Sequence, residues 1–506
     1  MSKKPQEIDR VTLLVAASVI AIGGIMYELI LSTATSYLIG DSTKSYSLGI
    51  GLSLFGMGIG SLFVVRLYKR PLLNFMTAEL LLSLLGGTSI IVLYAAFSLT
   101  KLYWLVFVLL SVLIGVLIGF EIPLVMESYQ KVKTSQSVFL SRILAADYIG
   151  ALIGSVLFPF ILLPYAGLIR SAIIMGLINL SIVILILVRN GRKLSHILSF
   201  STTAAFVLLA SLLIISSSIE RSLTTKNYQD EVVYFQTTQY QKIVVTKRQD
   251  DVRLYLNDQL QFSSRDEARY HETLVHSAMI HAQKINKVLI LGGGDGLAAR
   301  EVLKYHDVSS ITDVDIDPAM TKLARNNWQL AKLNQGSFSN SKVHIVNRDA
   351  EQFVRETHIK YDVVIVDLVD PANEKIARLF STDFYREIAA VLDGGGVLMT
   401  QATSTYFTPQ AFWVVSNNVK SVFGVSTPLS INVPSFGEWG FVLSTAANEE
   451  PKRLLPDNLV YLNKEAIRET HVLPANVMAQ QNDVTSSFLS PKLSTLYNQD
   501  LARWSY

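Results

Sequence analysis

Seven long apolar windows fill the first part of the chain, near residues 11–31, 47–67, 75–99, 102–123, 143–163, 168–188 and 197–215. Each is close to the roughly 20 residues a helix needs to cross a hydrocarbon layer. After residue 220 charge rises and the period changes. Residues 232–263 carry short alternating segments, VVYF, KIVVT and RLYLN, broken by polar turns such as KRQDD, which predicts a small antiparallel sheet. Residues 265–281 place Ala268, Leu274, Val275, Ala278 and Met279 on one helical face. From Lys287 onward strands alternate with helices. Strands are predicted through 288–291, 311–315, 342–346, 361–367, 396–400 and 440–444, and helices from Pro318 through Trp328, over 350–356 and over 382–392. That alternation predicts a doubly wound parallel sheet.

The expected architecture is therefore a multi-pass α-helical membrane domain followed by an α/β domain. Its parts are a transmembrane domain of about seven helices (1–220), a small β-strand subdomain plus helix (221–285), a Rossmann-like domain (286–445) and a C-terminal extension (446–506). Composition agrees: only 17% of the 506 residues are charged, and mean hydropathy is +0.35. A net charge of +3 gives no argument for nucleic acid. The absence of cysteine excludes disulfides, thiolate catalysis and Cys-ligated zinc. Ala16 and Ala17 lie inside a longer apolar run, so no cleavable leader is expected.

Within the membrane half, Gly56/Gly60, Gly115/Gly119 and Gly150/Gly154 are spaced for close helix packing. Basic residues collect before the first window (Lys3, Lys4, Arg10) and after the second (Arg66, Lys69, Arg70). They recur after the fourth (Lys131, Lys133, Arg142) and the sixth (Arg189, Arg192, Lys193). The remaining loops hold Lys44, Lys101 and Arg170. This bias puts the N-terminus on the cytoplasmic side of a cell membrane. Seven crossings would then carry the C-terminal half outward, and a count different by one would keep it inside. Glu28, Glu79, Glu121 and Asp147 lie in or beside apolar windows. Glu121 and Asp147 read as span-end residues, whereas Glu28 and Glu79 are candidates for a cation path.

Candidate chemistry centres on KVLILGGGDGLAAREV, residues 287–302. A buried strand, a glycine turn and a helix start bring backbone N–H groups to a ligand. Gly292, Gly294 and Gly296 form G-x-G-x-G rather than the G-x-G-x-x-G of dinucleotide folds. This spacing is commoner in the sheets that hold S-adenosyl nucleosides. Acids follow the strands in turn. Asp295 is in the glycine turn, Asp315 ends the second strand where a ribose hydroxyl can be met, Asp349 follows the third, and Asp367 and Asp370 follow the fourth. A single Asp here is most simply a helix cap. Several along one sheet edge suit a substrate with several positive charges.

The segments TTQYQKIVV, LYLNDQLQFSSRDEARYHETLVH, VLILGGGDGLAAREV, DVDIDP, VNRDAEQF and VIVDLVDPA resemble the polyamine aminopropyltransferases, the spermidine synthase family, over residues 230–445. The apolar windows resemble its membrane-anchored bacterial branch. The resemblance implies a Rossmann-like sheet of the S-adenosylmethionine-dependent methyltransferase type. It also implies transfer of an aminopropyl group from decarboxylated S-adenosylmethionine to putrescine or a related amine, giving spermidine and methylthioadenosine. The donor is a co-substrate; no prosthetic group and no metal are implied. By the same resemblance Asp315, in place of the usual Glu, holds the ribose. Gln241 lies near the nucleoside, Asp349 and Ala350 read the adenine, and Asp295 receives the aminopropyl ammonium. Tyr270 and Asp367 are catalytic, and Asp370 holds the diamine. Gln261, His271 and His276 match pocket positions. Phe436, within VPSFGEWGF, replaces a tyrosine, and Leu368 and Val369 replace small hydroxyl residues; both changes bear on the choice of amine. Homodimers or tetramers are implied as well. Two other readings share parts of this pattern: an S-adenosylmethionine-dependent methyltransferase, and a polyamine transporter or sensor whose soluble half only binds.

Overall fold

A computed structural model describes residues 10–39, 42–100, 102–129, 136–189, 196–225, 228–445 and 450–504. Lys3, Lys4, Lys101, Lys131, Lys133, Arg192 and Lys193, used above to orient the chain, lie outside the described residues. The chain divides into two units, Met1–Gln229 and Asp230–Tyr506. The division falls beyond residue 220 because the last long helix continues to Thr225.

The first unit is helical: α1 (Arg10–Ile39), α2 (Ser42–Phe63), α3 (Pro71–Leu99), α4 (Tyr103–Tyr129), α5 (Gln136–Leu157), α6 (Leu163–Arg189) and α7 (His196–Thr225). Among the described residues six stretches are long and apolar enough to cross a membrane. The fifth, Ser137–Arg189, contains both α5 and α6, joined by a π turn at Phe158–Leu162 and broken at Gly167, where φ is 72°. The glycine pairs lie where backbones meet. A Cβ on Gly56 or Gly60 would stand 2.4 or 2.2 Å from Val112 O or Val116 O, and one on Gly115 or Gly119 would stand 2.3 Å from Ser53 O or Met57 O. Glycine therefore sets the α2–α4 spacing from both sides. Glu121 and Asp147 are not at helix ends: α4 and α5 extend past the predicted windows, so both lie inside helices. Glu79 is fully buried, and neither of its carboxylate oxygens has a hydrogen-bond partner among the described residues.

The second unit opens with an antiparallel sheet, β1 (Glu231–Thr237), β2 (Lys242–Arg248), β3 (Asp251–Leu256) and β4 (Gln259–Ser263), in that order. Asn257 and Asp258, both at positive φ, make the β3–β4 turn, a conformation these side chains tolerate best after glycine. Helix α8 (Glu267–Met279) follows, then β5 (Lys287–Gly292), α9 (Leu297–Val302), β6 (Ser310–Asp315), α10 (Pro318–Asn326), α11 (Trp328–Leu333), β7 (Val343–Asn347), α12 (Ala350–Glu356) and β8 (Tyr361–Asp367). The single helix predicted from Pro318 through Trp328 is two, because the Asn327 side chain caps a new start by accepting from Gln329 N and Leu330 N. The remainder is α13 (Glu374–Ala377), α14 (Thr382–Val391), β9 (Leu392–Gln401), α15 (Pro409–Phe423), β10 (Thr427–Val433), β11 (Gly437–Ser444), α16 (Lys464–Thr470), α17 (Ala475–Met478) and α18 (Leu493–Ala502).

The large sheet has the order β10-β11-β9-β8-β5-β6-β7. It is mixed rather than all parallel: β9, β8, β5, β6 and β7 run parallel, while the β10–β11 hairpin is antiparallel at one edge. Apolar side chains cover both faces, with Ile290, Ile365 and Met399 on one side and Leu291, Val366 and Leu398 on the other. This explains the unbroken apolar runs of the central strands. Strand order reverses at β5, so the crevice for a ligand opens at the carboxyl ends of β5, β6 and β8.

Candidate active site

The crevice is a cavity roofed by the small sheet and floored by those strand ends. The glycine turn shapes it. Gly292, at φ 90°, lies so close to β8 that a Cβ would stand 1.9 Å from Asp367 O, and Gly293 N donates to that same oxygen at 3.1 Å. A Cβ on Gly294 would fall 2.3 Å from Asp315 Oδ2, so glycine keeps that carboxylate clear. Gly296, at φ 79°, is the residue before α9 and does not line the cavity; it carries the turn into the helix, and Ser337 Oγ donates to its carbonyl at 2.7 Å.

Of the residues expected at the site, all but Gly296 and His276 face one cavity. Toward the ends of β6 and β7 are Gln241, Asp315, Asp349 and Ala350. Gln241 Nε2 donates to Asp317 Oδ2 at 3.1 Å, and Asp315 Oδ1 accepts from Asp317 N at 2.7 Å, which ties the roof to the end of β6. Asp349 Oδ1 caps α12 by accepting from Gln352 N at 3.1 Å; the cap and the cavity position belong to the same side chain. Asp295 Oδ1 likewise accepts from Leu297 N at 2.9 Å. On the other side are Asp367, Asp370, Tyr270, Gln261, His271 and Phe436. Tyr270 Oη donates to Asp367 Oδ1 at 2.8 Å.

His276 is not part of this site. It is fully buried behind α8, its ring nitrogens bonded to Tyr305 Oη at 2.9 Å and Glu301 Oε2 at 2.8 Å. The helical turn that carries Tyr270 and His271 into the cavity turns His276 toward α9.

Burial dominates the electrostatics. It raises the Asp315 carboxyl to about 7 and those of Asp367 and Asp370 to about 6, and it raises Asp295 as well. Several acids crowd into one desolvated hollow, and a polycation would relieve that. His271 runs the other way. Burial opposes its charge, but the Glu267 carboxylate 2.9 Å from Nδ1, with Asp295 and Asp367 nearby, raises it to about 9. Glu267 is itself gripped by Arg300 through two bonds of 2.8 and 2.9 Å, which fixes the base of α8 against α9.

Three features in or near the cavity do not stand out in the sequence pattern. Trp439 joins Phe436 and Tyr270 in an aromatic wall, with ring centroids 4.9 Å (Trp439–Phe436) and 6.4 Å (Trp439–Tyr270) apart; VPSFGEWGF contains it at the spacing a hairpin needs. Asp313, one strand position before the pocket face, is fully buried, and neither oxygen has a partner among the described residues. The C-terminal extension packs onto the catalytic unit: Glu272 accepts from the backbone of Val460, Tyr461 and Leu462 at 2.7–2.8 Å, and Tyr497 Oη donates to Asp370 Oδ2 at 2.8 Å.

Residues 267–454 match the Spermine/spermidine synthase domain. Polyamine aminopropyltransferase 1 of Streptomyces coelicolor is 39% identical over 505 residues, covering 97% of this chain and 94% of that one. The polyamine aminopropyltransferase of Leptospira interrogans is 37% identical over 97% of both chains. A solved structure of spermidine synthase in complex with the transition state analogue AdoDATO is 25% identical, with a TM-score of 0.47 over 49% of this chain and 88% of that one. A sequence match that runs through both units, joined to a cavity of converging carboxylates, leaves one assignment: this chain belongs to the polyamine aminopropyltransferase family and is an enzyme that transfers aminopropyl groups to polyamines.

Proposed function

We propose that the donor is decarboxylated S-adenosylmethionine and the acceptor putrescine or a closely similar diamine, with spermidine and methylthioadenosine as products. The observation that carries this reading is the convergence of Asp295, Asp367 and Asp370 with Tyr270 on one cavity. A donor lacking its carboxylate suits Asp295, which would repel that carboxylate in ordinary S-adenosylmethionine. The His271 cation does not reverse this, because Glu267 is bonded to its ring.

The sulfonium is already a good leaving group, so the acceptor sets the problem. An alkylammonium has a pKa near 10.4, that of lysine, and no lone pair with which to attack. Asp370 holds the far ammonium by charge-assisted hydrogen bonding. Asp367 takes the proton from the near nitrogen, with the Tyr270 hydroxyl fixing the carboxylate's orientation. The freed lone pair forms the N–C bond at the propyl carbon as the C–S bond breaks, leaving a neutral thioether. In-line approach at about 3–3.5 Å is required. Trp439 and Phe436 supply an aromatic side for the tetramethylene chain and its charges.

The N-terminal unit is proposed to lie in the cell membrane as a multi-pass bundle. Exposed apolar side chains such as Leu62, Phe160, Tyr165 and Ile214 support this, since such a face is costly in water. Counting Ser137–Arg189 as two crossings gives seven. Homo-oligomeric association belongs to the same proposal.

The test is incubation of purified enzyme with decarboxylated S-adenosylmethionine labelled in the propyl arm and a panel of diamines. Label in spermidine, with stoichiometric methylthioadenosine, is expected. Methyl transfer from ordinary S-adenosylmethionine would favour a methyltransferase, and amine binding without methylthioadenosine release would favour a sensor. Protease access in sealed vesicles assigns the side of the catalytic unit.

A further inference from the structure

We propose that Tyr497, in the C-terminal helix α18, is a positioning residue for the acceptor amine. The inference rests on the reading of Asp370 as the carboxylate that holds the amine's far end. Asp370 lies in the loop after β8 and lines the cavity. Its two oxygens have different surroundings. Oδ2 accepts from the Tyr497 hydroxyl at 2.8 Å. Oδ1 is buried and has no hydrogen-bond partner among the described residues. A carboxylate fixed through one oxygen presents the other in a defined direction, and a buried acceptor of this kind is costly unless something donates to it. A protonated amine is the donor the cavity admits.

Tyr497 is held in place from either side. Asn498 Nδ2 donates to Ala372 O at 2.9 Å, which ties α18 to the loop that carries Asp370. Asp500 accepts from Gln410 N and Gln410 Nε2, both at 2.8 Å, which ties α18 to α15. Tyr497 itself is only 4% exposed. A segment more than a hundred residues after Asp370 in sequence therefore sets the angle of one pocket carboxylate. The titratable groups facing Asp370 are Tyr497 from α18 and Tyr270 from α8, with Asp367 at the end of β8 and the neutral Gln401 amide beside it. Burial raises the Asp370 carboxyl, and the Tyr497 hydroxyl, followed by the Gln401 amide, holds it down. Removing the hydroxyl both frees the carboxylate to rotate and lets it keep its proton to higher pH.

The experiment is steady-state kinetics of full-length Tyr497→Phe with saturating donor and varied diamine. The amine KM is expected to rise about tenfold or more, the size of a lost hydrogen bond to a charged group. The donor KM stays as in the wild type, kcat stays within about threefold, and the acidic limb of kcat/KM for the amine moves to higher pH. Asn498→Ala is the control for loosened docking: it should lower the melting temperature without moving that limb. Should Tyr497→Phe not fold, 3-fluorotyrosine at position 497, a near-isosteric and stronger donor, should move the limb to lower pH. A wild-type amine KM and limb in Tyr497→Phe, an Asn498→Ala limb displaced equally, or no response to 3-fluorotyrosine overturns the proposal. Asp370→Asn separates the two levels: if it leaves the amine KM unchanged, the reading of Asp370 itself fails; if it raises the KM while Tyr497→Phe does not, only the role of Tyr497 falls.

Discussion

Tyr270 and Asp367 meet through a 2.8 Å hydrogen bond that joins helix α8 to the carboxyl end of strand β8. The bond uses one oxygen of a carboxylate that lines the cavity. Tyr270→Phe should keep the fold, since the ring still packs against Phe441 at 5.1 Å between centroids. Turnover should fall by about 10²-fold, the lower range for general-base catalysis, because the carboxylate that takes the proton loses its fixed orientation, with donor binding unchanged by calorimetry.

The crowding of pocket acids links amine binding to pH. Folded-state values of about 6 for Asp367 and Asp370 and about 7 for Asp315 lie above the unfolded value near 3.9. The folded protein therefore holds these protons longer than the unfolded chain. Ionising the acids lowers stability as pH rises from about 4 to 7, and a bound dication offsets that loss. Putrescine should raise the melting temperature more at pH 7.5 than at pH 5.5, and Asp370→Asn should shrink the difference.

Asp313 isolates the same effect away from the substrate. Its carboxyl is raised well above its ordinary range by burial, with Asp315, Asp295 and Asp367 adding to it. Its contribution to stability is thus lost with increasing pH above about 4. Asp313→Asn, which cannot ionise, should flatten the slope of denaturant stability against pH between 5 and 8. An unchanged slope would show that Asp313 is already ionised in the folded protein across that window.

Gly294→Ala tests the cradle. The added methyl would press on Asp315 Oδ2 from 2.3 Å. The carboxylate must swing away from where a ribose would meet it. The donor KM should rise about tenfold, the loss of one charge-assisted bond, while the amine KM stays put.

Much of this was legible in the chain. The glycine turn and the acids at 295, 315, 349, 367 and 370 are fixed by strand ends, and strand ends show as apolar runs stopping at polar residues. Periodicity could not tell that β11 runs antiparallel to β9, because a buried strand reads alike in either direction, and the β10 strand paired with it does not stand out in the sequence. Nor could it separate His271 from His276, which share a helix but leave it on different faces. Asn327 reads as an ordinary helix residue until its side chain is seen capping α11. Tyr497 was beyond sequence reasoning, since its partner Asp370 is distant in the chain and no local pattern announces the contact.

The account turns on Asp367 as the group that takes the amine's proton, and the kinetics of Asp367→Asn with decarboxylated S-adenosylmethionine and putrescine test it most directly. The account predicts that kcat falls by about 10²- to 10⁴-fold while the dissociation constant of the nucleoside changes less than about threefold. Turnover close to wild type would contradict it.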